Sequence, residues 1–69
     1  MGRTISKGQL AEFFEYLDGT PHAESRDLSF MFGLSEEVAR SVHRTWVKTL
    51  GLAAIDDRVN EAAEALSIV

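Results

Sequence analysis

The stretch RDLSFMFGLSEEVARSVHRTWVKTLG, residues 26–51, decides the fold. Its pattern predicts a short helix, a glycine turn and a longer helix. Residues four apart lie on one face of a helix, and two such series run along the longer one. The apolar series is Val38, Val42, Trp46 and Leu50, and the basic series on the opposite side is Arg40, Arg44 and Lys48.

The turn between these two helices lies at residues 33–35. Gly33 stops the short helix, Leu34 supplies an apolar side chain to the core, and Ser35 is a preferred N-cap residue for the longer helix. Two glutamates follow the cap, in the turn where the helix macrodipole favours carboxylates. The longer helix is predicted to run to Leu50.

Another helix precedes this stretch. Ser6 and Gln9 have the spacing of a capping box, and an apolar face follows at i, i+3, i+4 and i+7. Gly19 is predicted to end this helix in a left-handed conformation. The next helix opens either at Pro21 or after Ser25. The apolar face consists of Leu10, Phe13, Phe14 and Leu17.

Residues 52–69 form either one helix or a loop and a helix over about residues 54–67, capped by Asp56 or Asp57. Their apolar residues have the 3,4 spacing of a heptad seam, but only about two heptads fit. The seam packs either on the domain's own core, which this short length favours, or on a second copy as a dimer seam. It consists of Leu52, Ile55, Val59, Ala62, Leu66 and Val69.

Together these patterns predict an all-α fold of three to four short helices, with residues 1–69 as a single domain. The apolar positions of the helices and of the turn meet in one core. We expect that core to contain Leu10, Phe13, Phe14, Leu17, Leu28, Met31, Phe32, Leu34, Val38, Val42, Trp46, Leu50 and Val59.

Composition narrows the class of protein. With 45% hydrophobic residues, the 69-residue chain is globular rather than disordered. It has no Cys, which excludes disulfides and thiolate metal sites and, in so small a domain, favours the cytoplasm. No apolar run is long enough to cross a bilayer, and the N-terminus lacks the apolar segment of a signal peptide, so we expect no membrane association.

Charge is unevenly distributed along the chain, whose net charge is −4. Residues 35–51 hold three cations and two carboxylates, whereas residues 52–69 hold one cation and four carboxylates. Affinity for DNA grows with the number of phosphates neutralised, and this chain as a whole supplies few cations. DNA binding would therefore need local contacts or a dimer.

No residue pattern predicts catalysis. His22 and His43 lie on different predicted helices, neither at metal-ligand spacing with an acid, and no Ser or Thr lies in a recognisable nucleophile motif. The five glycines are dispersed, so none forms a phosphate-binding loop. We therefore expect no enzymatic activity, no metal, no cofactor and no small-molecule substrate.

Residues 27–38 resemble the helix-turn-helix family of DNA-binding proteins. The resemblance rests on the small Ser29 four residues before Gly33, on the apolar Leu34 after it, and on Ser35 as the cap of the second helix. The chain departs from the family pattern at the next buried apolar residue, because the β-branched Val38 comes one residue earlier than is usual in the family. The resemblance covers about residues 26–50.

The resemblance implies a tri-helical core followed by a C-terminal helix, with residues 25–50 as the helix-turn-helix segment and residues 35–50 as the recognition helix. On that helix Arg40 would grip a guanine bidentately, and Arg44 with Lys48 would hold phosphate. A second interpretation is a protein contact, which the apolar Val47 among these cations favours. A third is a solvated helix face, because Glu36 and Arg40 have the i, i+4 spacing of an ion pair. The candidate DNA- or partner-binding residues are Arg40, Ser41, His43, Arg44, Val47, Lys48 and Glu37.

Three functions fit the sequence. The first is a DNA-binding transcriptional regulator that dimerises through residues 52–69. A second is an acidic protein-interaction module, such as an inhibitor or adaptor of phage or plasmid type, that binds a basic partner through its helical faces. A third is a structural subunit. The partner is thus DNA or a protein, and a homo-oligomer is expected. The acidic faces consist of Glu12, Glu15 and Asp18, and of Asp57, Glu61 and Glu64.

Overall fold

A computed structural model describes residues 5–67, and Val69 of the predicted seam lies outside them. The helices are α1 (Lys7–Gly19), α2 (Ser25–Phe32), α3 (Glu36–Lys48) and α4 (Ile55–Ala65). No strand occurs within residues 5–67. The all-α fold with four short helices is therefore confirmed.

One apolar core lies between two helix pairs, because α1 packs mainly on α4 and α2 packs mainly on α3. Phe32 at the end of α2 joins the pairs: its ring stacks on Phe13 at a centroid distance of 4.8 Å and meets the edge of Tyr16 at 6.3 Å. The buried apolar residues are Ile5, Leu10, Phe13, Phe14, Leu17, Leu28, Ala39, Val42, Trp46, Val59, Ala62 and Ala63.

The ends of α1 are set by local hydrogen bonds. As predicted, the Gln9 amide donates to Ser6 Oγ and the Ser6 amide donates to Gln9 Oε1, each at 3.1 Å. The prediction that α1 ends at Gly19 is confirmed, but the predicted left-handed conformation of Gly19 is wrong. Gly19 remains helical, and the amide of Thr20 (φ −142°) closes the last turn on the carbonyls of Tyr16 and Leu17. No left-handed residue is needed there.

The turn between α2 and α3 has the predicted form. Gly33 adopts φ 66° and ψ 34°, a left-handed conformation in which a residue with a Cβ is strained. The Leu34 amide then donates to the Ser29 carbonyl at 2.9 Å, and Leu34 packs half-buried against the core. Ser35 caps α3, its hydroxyl accepting from the Val38 amide at 3.2 Å. These contacts fix the direction in which α3 leaves α2.

Two predicted core residues, Met31 and Leu50, are about half exposed. Met31 lies on the outer side of α2. Leu50 leaves the apolar stripe because α3 ends at Lys48, two residues earlier than the spacing predicted. The C-cap is Thr49, which is buried: its amide donates to the Thr45 and Trp46 carbonyls, and its hydroxyl donates to the Trp46 carbonyl at 2.9 Å.

The structure also decides between the alternative starting points of α2 and α4. α2 begins at Ser25, because Pro21 and His22 form a turn instead of a first helical turn. α4 follows a loop, in agreement with the predicted helix at about residues 54–67. Its N-cap is Ala54, so the prediction that Asp56 or Asp57 caps α4 is wrong; both lie in its first turn.

The heptad seam packs within the domain. Val59 and Ala62 are buried, and Ile55 and Leu66 are half-buried against the same core. Leu52, in the loop before α4, is exposed instead. The seam is thus used to attach α4 to α1 and α3 and is not free to form the dimer seam that the sequence also allowed.

Candidate nucleic-acid interface on helix α3

The inner face of α3 is held in the core and thereby fixes what the outer face presents. Ala39, Val42 and Trp46 are buried, and the Thr45 hydroxyl is satisfied by donating to the Ser41 carbonyl at 2.9 Å. At about 100° per residue, the opposite side of the helix must face solvent. The Ser35 cap and the turn at Gly33 fix the beginning of the helix.

Six residues of α3 are exposed on its outer side. Four of them form what we call the basic face, Arg40, Arg44, Val47 and Lys48, and the other two are Glu36 and Glu37 in the first turn. Arg40 Nη2 lies 3.3 Å from Glu36 Oε2, and both side chains are more than half exposed. Such an exposed pair is worth little and opens readily. Within residues 5–67, Arg44 and Lys48 have no ion-pair partner, so both cations are available to a ligand.

The other three predicted site residues, Glu37, Ser41 and His43, also lie on α3, next to the residues of the basic face. Glu37 is exposed, and with Ser41 it lies at the mouth of a cavity of about 260 Å³ whose other lining residues are apolar. His43 is half-buried, with its ring parallel to that of Trp46 at a centroid distance of 5.8 Å. Its Nε2 atom is buried and has no hydrogen-bond partner among the described residues. Ser41 and His43 therefore border the face, and Glu37 lies on the same side of α3 as the cations, in the first turn of the helix.

A second charged cluster, which the sequence did not predict, lies inside the fold. Arg58 of α4 is buried and grips Asp18 of α1 with both ends of its guanidinium, Nη1 to Oδ2 at 3.0 Å and Nη2 to Oδ1 at 2.9 Å. The indole N–H of Trp46 donates to the same Oδ1 at 2.9 Å. The guanidinium also lies 5.8 Å from the centre of the Phe14 ring. One carboxylate thus joins α1, α3 and α4.

The Asp18 cluster changes the titration of its carboxylate. The hydrogen bonds from Arg58 hold the pKa of Asp18 below its ordinary value of 3.8, and the Trp46 hydrogen bond acts in the same direction against partial desolvation. Asp18 is exposed, as the predicted acidic face of α1 requires, but its carboxylate is held by Arg58 and Trp46. Arg58 in turn contributes no free cation to the surface.

Of this pair, only Asp18 could have been found from a sequence signal, which is the Trp46 of the predicted core. A Trp placed in a predicted core needs a hydrogen-bond partner for its indole N–H. The chain offers few acids near the core-facing ends of its helices, and Asp18 is the last acid of α1. Which cation would join it depends on how α4 crosses α1, and sequence spacing does not contain that information.

Within residues 5–67, no three His, Asp or Glu side chains come together as a metal site. None of the four helices combines the length and the apolar character needed to cross a bilayer. Comparison of the chain with family models, with curated proteins and with solved structures finds no match.

Proposed function

We propose that this protein binds double-stranded DNA through the basic face of α3. The observation that carries the proposal is the exposed series Arg40, Arg44 and Lys48 on a helix that follows a left-handed glycine turn. Its inner side is fully occupied by core contacts, so the helix can present its outer side to a groove without unfolding. The major groove of B-DNA admits one α-helix, and an arginine there pairs bidentately with guanine.

We assign the cations different roles in DNA binding according to their positions along α3. Arg40 lies in the first half of α3, where a recognition helix reads bases, and its only partner within residues 5–67 is the exposed Glu36. Arg44 and Lys48 lie one and two turns further along and would contact phosphates. Phosphate contacts orient the protein and supply salt-dependent affinity, whereas the base contact supplies sequence preference.

The test begins with selection of a preferred site from a random duplex library, followed by titration of that site with single variants. We expect Arg40→Ala to weaken binding about 5- to 100-fold and to relax the preference at one base pair. Arg44→Ala and Lys48→Ala should weaken binding to all sequences and each lower the salt slope by about 1. Lys7→Ala is the matched control, because Lys7 is an exposed cation on α1.

Two results would end this proposal. One is a selection that enriches no sequence and a chain that binds no duplex at low salt. The other is binding that responds to Lys7→Ala as strongly as to Arg44→Ala, since that would be unspecific attraction to any cation.

A second candidate function is binding of a protein partner, and the exposure of Phe30 favours it. The Phe30 side chain is 90% exposed at the outer side of α2, next to the half-exposed Met31. Large exposed aromatics are enriched where proteins bind one another. This would be the small interaction module that the acidic composition also fits. The acids Asp57, Glu61 and Glu64 of α4 remain exposed for a basic partner.

Capture from the source lysate, with and without nuclease, separates the two functions. A protein partner should persist after nuclease treatment and be lost with Phe30→Ser, while Arg44→Ala retains it. If every captured protein is lost after nuclease treatment, the DNA proposal gains and the partner proposal fails.

A further inference from the structure

The chain carries an apolar patch where α3 ends, separate from Phe30. Val47, Leu50 and Leu52 are 52%, 51% and 42% exposed. All three lie within six residues, and backbone hydrogen bonds close two consecutive turns over that segment, from the Leu50 amide to the Val47 carbonyl at 3.3 Å and from the Leu52 amide to the Thr49 carbonyl at 3.0 Å. We call Val47, Leu50 and Leu52 the exit patch.

The exit patch has charges of opposite sign on its two sides. On the α3 side, Val47 lies among the exposed cations Arg44 and Lys48. On the α4 side, Leu52 shares a groove of about 290 Å³ with exposed acidic side chains. That groove is lined by Leu52, Asp57, Asn60, Glu61 and Glu64. The patch therefore has a basic rim and an acidic rim.

This arrangement is complementary to itself. A two-fold axis through the exit patch places apolar residues against apolar residues and brings each basic rim to the acidic rim of the other copy. The rims also match in length, since Arg44 and Lys48 are one helical turn apart and Glu61 and Glu64 are slightly less. A partner of uniform charge, such as a nucleic acid or a basic protein, fits only one rim.

We infer that the exit patch is the contact surface for a second copy of this chain. Only three half-exposed apolar side chains contribute, so the dimer is weak and depends on protein concentration. Exposed ion pairs add orientation more than affinity, and added salt weakens the dimer by screening them. The contact does not use the heptad seam, which is occupied inside each domain.

The test is the mass of the full chain by sedimentation equilibrium over a wide concentration range at low salt. Wild type should shift from monomer towards dimer, and Leu50→Asp should remain monomeric. Two charge reversals provide the decisive comparison: Arg44→Glu with Lys48→Glu, and Glu61→Lys with Glu64→Lys. Each alone opposes like charges in its own homodimer, so each should be monomeric.

Mixing the two reversed proteins in equal amounts restores opposite charges at both contacts, so heterodimers should form. This rescue excludes misfolding as the reason for the single losses. Glu12→Lys with Glu15→Lys, on the exposed side of α1, is the matched control and should dimerise like wild type. Phe30→Asp should do the same.

A wild type that stays monomeric at the highest concentration overturns the inference. So does a mixture that fails to associate, or a Phe30→Asp variant that is monomeric, since the contact would then lie on α2. The inference does not rest on DNA binding, although Arg44 and Lys48 serve in both, so the dimer and the DNA complex compete for them. Arg40→Ala removes the proposed base contact and leaves both rims intact, so it should dimerise like wild type, and the two proposals fail separately.

Discussion

Two arginines of this chain, Arg58 and Arg40, each pair with a carboxylate, yet they do different things. The Arg58–Asp18 pair joins α4 to α1 through two residues that are 40 positions apart in sequence. It is bidentate, and its guanidinium is buried. The Arg40–Glu36 pair lies within one helix and is more than half exposed at both ends. Burial and hydrogen-bond geometry, more than the presence of a partner, therefore decide whether a cation serves the fold or remains available to a ligand.

The comparison is tested most strongly by removing Asp18. Asp18→Ala leaves the buried charge of Arg58 and the indole N–H of Trp46 without their partner. We expect the free energy of unfolding to fall by about 2 kcal/mol, less than for a fully buried pair because Asp18 is partly exposed. Urea denaturation at neutral pH measures it. The control Glu36→Ala should cost no more than about 0.5 kcal/mol, and an equal cost for both would contradict the comparison.

Replacing Arg58 with methionine should cost less than removing Asp18. Arg58→Met keeps an apolar stem over Phe14 and leaves no buried charge, while the carboxylate of Asp18 can still reach water and accept from Trp46. We expect a loss of about 1 kcal/mol in the same urea experiment. A loss as large as that of Asp18→Ala would mean that the ion pair itself, and not the cost of an unpaired buried cation, supplies the stability.

Acid should weaken the cluster at Asp18. The folded-state pKa of Asp18 lies below its unfolded value, so its contribution to stability is complete above about pH 4 and is lost as the pH falls through the folded pKa. The stability difference between wild type and Asp18→Ala should therefore shrink between pH 7 and about pH 2.5. Thermal unfolding at both pH values measures that difference. A stability difference that stays the same at the two pH values would show that the charge of the Asp18 carboxylate does not contribute to stability.

The smallest change is expected on the basic face. Glu36→Ala frees Arg40 and removes a carboxylate that repels phosphate, so DNA affinity should rise about 2- to 5-fold at low salt. Fluorescence anisotropy with the selected duplex measures it. Glu12→Ala, an exposed acid of α1, controls for the change in net charge. If both substitutions raise the affinity equally, the effect is general charge and not release of Arg40.

Local signals made much of the fold predictable. The capping box at Ser6 and the turn at Gly33 are decided within a few residues, and the structure has both. The apolar series of α1 is buried as predicted because its period fits one helix face. Ala39 and Ala63 were missed, since a small residue becomes core only where two helices approach closely, which spacing does not reveal.

The candidate site was less predictable from the sequence. That Arg40, Arg44 and Lys48 share one exposed face follows from helical spacing alone. The place where α3 ends does not: its C-cap is the buried Thr49, two residues before the predicted end, and this early end exposes Leu50. The Asp18–Arg58 contact was equally hidden, since it needs the crossing of α1 and α4.

The cavity beside α3 has a consequence for chain topology. Ile5 and Leu66, near the two ends of the described chain, line that same cavity and so lie near one another. The chain could therefore be reconnected: a short linker from Leu66 to Ile5 and a new opening in the loop at residues 20–24 would give a circular permutant with all four helices intact. We expect its circular dichroism and cooperative unfolding to match those of the parent. The packing of the four helices, more than their order along the chain, would then define this domain.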